Sequence, residues 1–265
     1  MLFCISLLKI NKMRYFYFLI VVFLLSFNYN TMAQVNPGDS AISAFIPNIS
    51  FSYQLPGGDM ALEFGDNATI GGGFFYKSKS NILLSADFNY IFGGTIKNEA
   101  EILKMVLNKD GYIIDGNGTY ALYTVYERGY SVNMRIGKIF NLLSANPNSG
   151  VMLMGGVGYL SHFVKIDNQH RTAPQISGDY AKGYDHLRGG VSFNEFIGYF
   201  FLGNSRILNF YAGFEFYQAF TRSQRDYSID LMKKDTKKYN DFFYGFKIGW
   251  MIPIYKRAPR AYYYY

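Results

Sequence analysis

The sequence predicts an all-β fold: eight antiparallel strands in up-and-down order, closed into a transmembrane barrel with short periplasmic turns and long extracellular loops. Three observations predict it. Eight segments alternate apolar residues with small or polar ones, as a strand with two different faces must. The connections between them alternate short and long. The chain also holds 25 Phe and 25 Tyr but one Trp, so aromatics make up 19% of 265 residues.

Residues 1–33 read as a secretory signal peptide. Lys9, Lys12 and Arg14 precede the apolar stretch YFYFLIVVFLLSF, and small residues follow at 31–33. That stretch falls short of the roughly 20 residues a spanning helix needs. Met13 is a second possible start. The only cysteine, Cys4, lies in this leader, so residues 34–265 contain no disulfide, thiol nucleophile or thiolate ligand. Without the three leader cations, 23 Lys and Arg face 19 acids. An excess of about four gives no argument for nucleic acid.

The strands are expected at residues 44–54, 69–77, 82–93, 121–140, 151–163, 187–202, 207–221 and 240–255. In the first, Ile49, Phe51 and Tyr53 oppose Ser50, Ser52 and Gln54. The third sets Leu84, Phe88 and Tyr90 against Ser85, Asp87 and Asn89. The fourth sets Tyr130, Val132, Met134 and Ile136 against Ser131, Asn133, Arg135 and Gly137. The sixth breaks the pattern, because Ser192 and Asn194 share one parity while Glu195 has the other. A bulge near 194–195 is expected there, turning Glu195 inward and Phe196 outward. In the seventh, Leu208, Phe210, Phe214 and Phe216 oppose Asn209, Gly213 and Glu215. The last has the clearest alternation: Phe242, Tyr244, Phe246, Ile248 and Trp250 oppose Gly245, Lys247, Gly249 and Met251.

Connections 78–81, 141–150 and 203–206 are compact and rich in turn formers. Connections 55–68, 94–120, 162–186 and 222–239 are longer. With eight strands and both termini periplasmic, the long ones are the four external loops. A secreted ligand-binding barrel is the structural competitor. It would have to pack the rings into a lumen only wide enough for ordinary side chains.

Parity and loop lengths together resemble the small eight-stranded outer-membrane β-barrel family, the group that includes the OmpA membrane domain and OmpX. The resemblance implies a barrel of residues 34–255, lodged among outer-membrane lipid and lipopolysaccharide. It also implies insertion by the barrel-insertion machinery through an aromatic last strand, here with Phe242, Tyr244, Phe246, Trp250 and Tyr255. This chain departs from the family pattern in carrying ten further residues, KRAPRAYYYY, as a periplasmic tail at 256–265.

Candidate chemistry is sparse, and no cofactor or metal motif is present. Asp87, Glu127, Glu195 and Glu215 are expected to face Arg135 and Lys247 in the lumen. They would form either a gated ion path or, as favoured here, a salt-bridged plug. His162, His170 and His186 fall in or beside one external connection, but no GxSxG or HExxH string accompanies them. Arg222, Arg225, Lys233, Lys234, Lys237 and Lys238 make the last loop basic, suited either to lipopolysaccharide phosphates or to plain solvation. Residues 97–108 are expected to form a short helix packed on the barrel mouth.

The expected role is that of a non-enzymatic outer-membrane barrel: a structural element, a surface binder or an accessory subunit to another envelope protein. A small passive porin-like pore is the alternative. A lipid A-modifying or proteolytic enzyme using the three histidines is the less favoured one.

Overall fold

The computed structural model describes residues 40–203 and 207–254. The expected signal peptide, Tyr255 and the tail lie outside them. Eight strands close one antiparallel barrel in sequence order: β1 (Ala44–Gly58), β2 (Asn67–Lys77), β3 (Ile82–Gly93), β4 (Tyr123–Phe140), β5 (Gly150–Asn168), β6 (Arg188–Leu202), β7 (Asn209–Ser223) and β8 (Lys238–Met251). β3 has the expected bounds. β1 and β5 run four and five residues further at the loop end, because their hydrogen-bonded ladders outlast the apolar alternation.

Following the register from Phe45 through Tyr76, Leu84, Ile136, Gly155, Glu195, Phe216 and Tyr244 returns to β1 at Leu55. The path closes ten residues above its start, between positions 45 and 55. With strands about 4.8 Å apart and a rise of about 3.3 Å per residue, this stagger tilts them by roughly 40°.

Alternation sorts the side chains as the sequence implies. Ile49, Phe51, Tyr53, Phe88, Tyr90, Met134, Ile136, Phe214, Phe246, Ile248 and Trp250 are exposed around the outer wall. Ser50, Ser52, Gln54, Asn89, Asn133, Arg135, Glu215 and Lys247 are buried inside. An apolar exterior around a polar interior is stable only where the exterior meets hydrocarbon, so this is a transmembrane barrel.

The interior is layered, which parity alone does not show. At the turn end Ile46, Phe75, Leu83, Ile139, Met152, Phe196, Phe200, Tyr211 and Met251 form an apolar floor. Gly249 permits it to close, since a Cβ there would lie 2.1 Å from the Tyr211 ring. At the loop end Met60, Phe64, Ile102, Leu103, Ile113, Ile176 and Tyr184 descend from the loops onto Ile91, Val125, Leu160 and Phe243 of the wall. The expected mouth-packing segment at 97–108 is here, although its α-helix spans only Glu99–Ile102. The polar layer lies between these two apolar ones.

The expected bulge in β6 does not occur. Its register is continuous, pairing Asn194 with Gly156 and Tyr217, and Glu195 with Gly155 and Phe216. Glu195 therefore points outward and Phe196 inward. A bulge would break the ladder and pull Phe196 out of the floor, where its ring packs edge-on to Tyr211 at 5.8 Å.

Candidate functional site

Five of the six expected lumen groups lie in the barrel interior; Glu195, outside on the wall, is the exception. At mid-height Arg135 from β4 pairs with Asp87 from β3 at 3.2 Å, and Lys247 from β8 pairs with Glu215 from β7 at 3.2 Å. Neutral groups join the two pairs. Asn89 and Asn133 donate to Asp87 at 2.7 and 3.0 Å, and Lys247 donates to Asn89 Oδ1 at 3.2 Å. Gln54 donates to Glu215 at 2.8 Å. Arg135 also donates to Asn194 and to the Tyr217 hydroxyl, at 2.5 and 2.7 Å. Two cations and two carboxylates leave the quartet neutral, as a buried layer requires.

Glu127 sits nearer the loops and accepts two hydrogen bonds from Asn67, at 3.2 and 3.0 Å. His162 is also inside the wall. Its Nε2 donates to Asp241 at 3.0 Å, its ring meets Phe64 edge-on, and Thr221 donates to the same carboxylate. Residues 79 positions apart make this contact, and single-sequence parity marks no such pairing.

Above the strands the four long loops are joined in a ring. The first, residues 59–66, receives Lys97 N at Glu63 O (2.8 Å) from the second. The second bonds the third through Gly116 N to Thr172 O at 2.8 Å and Gln175 Nε2 to Ile114 O at 2.6 Å. The third bonds the fourth through Ile229 N to Gly183 O at 2.9 Å, and Arg225 clamps Asp185. Lys237 returns from the fourth to Asp59 of the first at 3.0 Å.

His186 ties the centre of this ring. Its Nδ1 lies 2.6 Å from Glu63 and its Nε2 3.1 Å from Asp230, so three loops meet at one imidazole. Arg188 adds a 2.6 Å bond to Glu63 and lies 3.7 Å over the Tyr239 ring. Together they line a cleft of about 320 Å³. His186 holds a φ of 45°, an uncommon left-handed backbone that the surrounding ion pairs maintain. Burial opposes its charge, but the hydrogen bonds it donates to Asp230 and Glu63 prevail and raise its pKa to about 9. Burial likewise opposes ionisation of Glu63 and Asp230, and the bonds from His186 outweigh it and lower both.

The three histidines do not converge on one site: His162 is inside, His186 is locked between acids, and His170 is exposed on the third loop. Both nitrogens of His186 are engaged, so it has no free lone pair for a general base. Ser161, beside His162, spends its hydroxyl on Arg188 O at 3.2 Å.

The basic loop divides in two. Arg225, Lys234 and Lys237 are held by Asp185, Asp226 and Asp59. Arg222, Lys233 and Lys238 are exposed. Arg222 and Lys238 are register partners on the outer face of β7 and β8, where these strands leave the aromatic wall.

No protein-family model matches the chain, and no curated protein matches it. Among solved structures it is similar to Ail, the attachment invasion locus protein of Yersinia pestis, at 10% identity and a TM-score of 0.42, covering 79% of this chain and 99% of that one. It is similar to Neisserial surface protein A at 8% identity and a TM-score of 0.43, covering 78% and 96%. A third is the outer membrane protein OprG from Pseudomonas aeruginosa, at 10% identity and a TM-score of 0.37, covering 81% and 98%. Likeness at this level carries no argument about function, and the fold stands on its own register and burial.

Two predictions follow from the geometry. Replacing Arg135 with Ala leaves Asp87 buried without its cation and is expected to cost about 3–5 kcal/mol, whereas replacing Arg135 with Met and Asp87 with Leu together costs much less. Urea unfolding of the detergent-solubilised barrel measures both. For the loop ring, a histidine whose pKa is raised stabilises fully below its unfolded value near 6.5 and loses that contribution as pH rises through about 9. Protection of the loop amides, taken relative to their base-catalysed intrinsic exchange, is therefore expected to fall between those two values, and His186→Gln is expected to remove that pH dependence.

Proposed function

We propose that this chain is a non-enzymatic integral outer-membrane barrel of a Gram-negative envelope, which holds its four joined loops outward as a preorganised binding platform. The ring of inter-loop bonds carries this reading. External loops of a passive wall element need no common architecture, whereas these four are fixed to one another and three of them meet at His186. Rigid loops bind at a lower entropic cost than mobile ones.

Lipopolysaccharide is the partner the exposed charge suits. Arg222 and Lys238 face outward side by side, and like charges at directly opposed strand positions repel unless an anion sits between them. Their place at the rim of the apolar wall is where lipid phosphates lie, and Arg meets phosphate through paired hydrogen bonds. A passive pore fits less well, because apolar layers close both ends of the lumen. Catalysis fits less well too, since neither buried histidine faces a free nucleophile.

Arg222→Glu combined with Lys238→Glu is expected to reduce the lipopolysaccharide that co-purifies with the folded barrel several-fold. Replacing the exposed Lys233 alone, away from that wall, is expected to change it little. Phosphate analysis of the purified proteins checks this, and unchanged phosphate in the double variant removes lipopolysaccharide from the proposal.

A further inference from the structure

At mid-height the wall of β5 and β6 carries a group that neither the lumen nor the loop platform uses. Glu195 is the eighth of the fifteen residues of β6 and points outward among exposed apolar neighbours. Its register partner on β5 is Gly155, where an added Cβ would meet nothing within 4 Å. From that gap an apolar groove of about 470 Å³ runs across β4 and β3, lined by Val157, Met134, Ile136, Leu84 and Ala86. A carboxylate in the hydrocarbon layer is costly unless a cation or donor meets it.

Among the described residues no cation meets it on that face. Among the described residues the outward cations of the strands are Arg128, Lys138, Lys165, Arg222 and Lys238, each in the terminal third of its strand. A second copy packed side by side would therefore place apolar wall or a second carboxylate against Glu195. An acyl chain would fill the groove but offers no donor, and a lipid headgroup stays at the interface rather than at mid-height.

We propose that this wall is a lateral docking face for another envelope protein, whose membrane-embedded segment sets a Lys or Arg against Glu195 and lays apolar side chains in the groove. The proposal deepens the reading above and rests on its membrane residence. Membrane fractionation of the wild type scores that residence separately: a soluble protein would defeat the earlier reading first.

The test uses the full chain in its native membrane, with the photo-crosslinking residue benzoylphenylalanine in place of Val157 or, on the far wall, of Phe51. An adduct is expected from position 157 only, to a peptide with a Lys or Arg inside a membrane-embedded stretch. Its yield is expected to fall roughly tenfold in Glu195→Leu, the loss of one good ionic contact. Leu suits the outward face, so Glu195→Leu is expected to keep the heat-modifiable migration of a folded barrel. Restoration by pairing Glu195→Lys with a Glu in place of the partner's cation completes the support. An adduct between two copies of this chain, equal adducts from both positions, no adduct at all, or an unchanged yield in Glu195→Leu each overturns the proposal.

Discussion

Eight strands with this stagger enclose a space that their own side chains must fill, and at its centre four of those side chains are ionised. Arg135 and Lys247 can be buried there only because Asp87 and Glu215 meet them, with Asn89, Asn133, Gln54 and Tyr217 adding hydrogen bonds to the two pairs. The neutral quartet draws on β3, β4, β7 and β8, so it also couples strands distant in sequence. Removing any one charge would strand its partner in a medium that cannot solvate it.

The apolar floor and lid follow from the same constraint. An electrostatic layer is strongest where water is excluded, and Phe75, Phe196, Phe200 and Tyr211 below, with Phe64, Ile102 and Leu103 above, exclude it. The lid comes from the loops, so the loops are bound to the barrel interior as well as to each other. A lumen closed in this way supports a fixed outer surface.

Much of this architecture was legible in the sequence. Parity placed Phe246, Ile248 and Trp250 outside and Lys247 inside, and loop lengths oriented the barrel. The inward set Asp87, Arg135, Glu215 and Lys247 could be named, but their pairing could not, since register between distant strands leaves no local mark. The bulge expected at Glu195 reflects only the cost of one outward carboxylate, not the ladder and floor it would disrupt. A bulge would have broken a continuous ladder and removed Phe196 from the floor, and the ladder prevailed. The loop ring and the His162–Asp241 and His186 contacts depend on folded positions far apart in the chain, so the histidines looked like one cluster and are three separate residues.

The central claim is that the charged layer is sealed on both sides. Single-channel recording in planar bilayers tests it most directly, comparing the wild type with a variant in which the floor residues Phe196 and Phe200 are both replaced by Ala. The account predicts no stable openings in the wild type and measurable conductance only once the floor is thinned. Steady, sizeable openings in the wild type would contradict it.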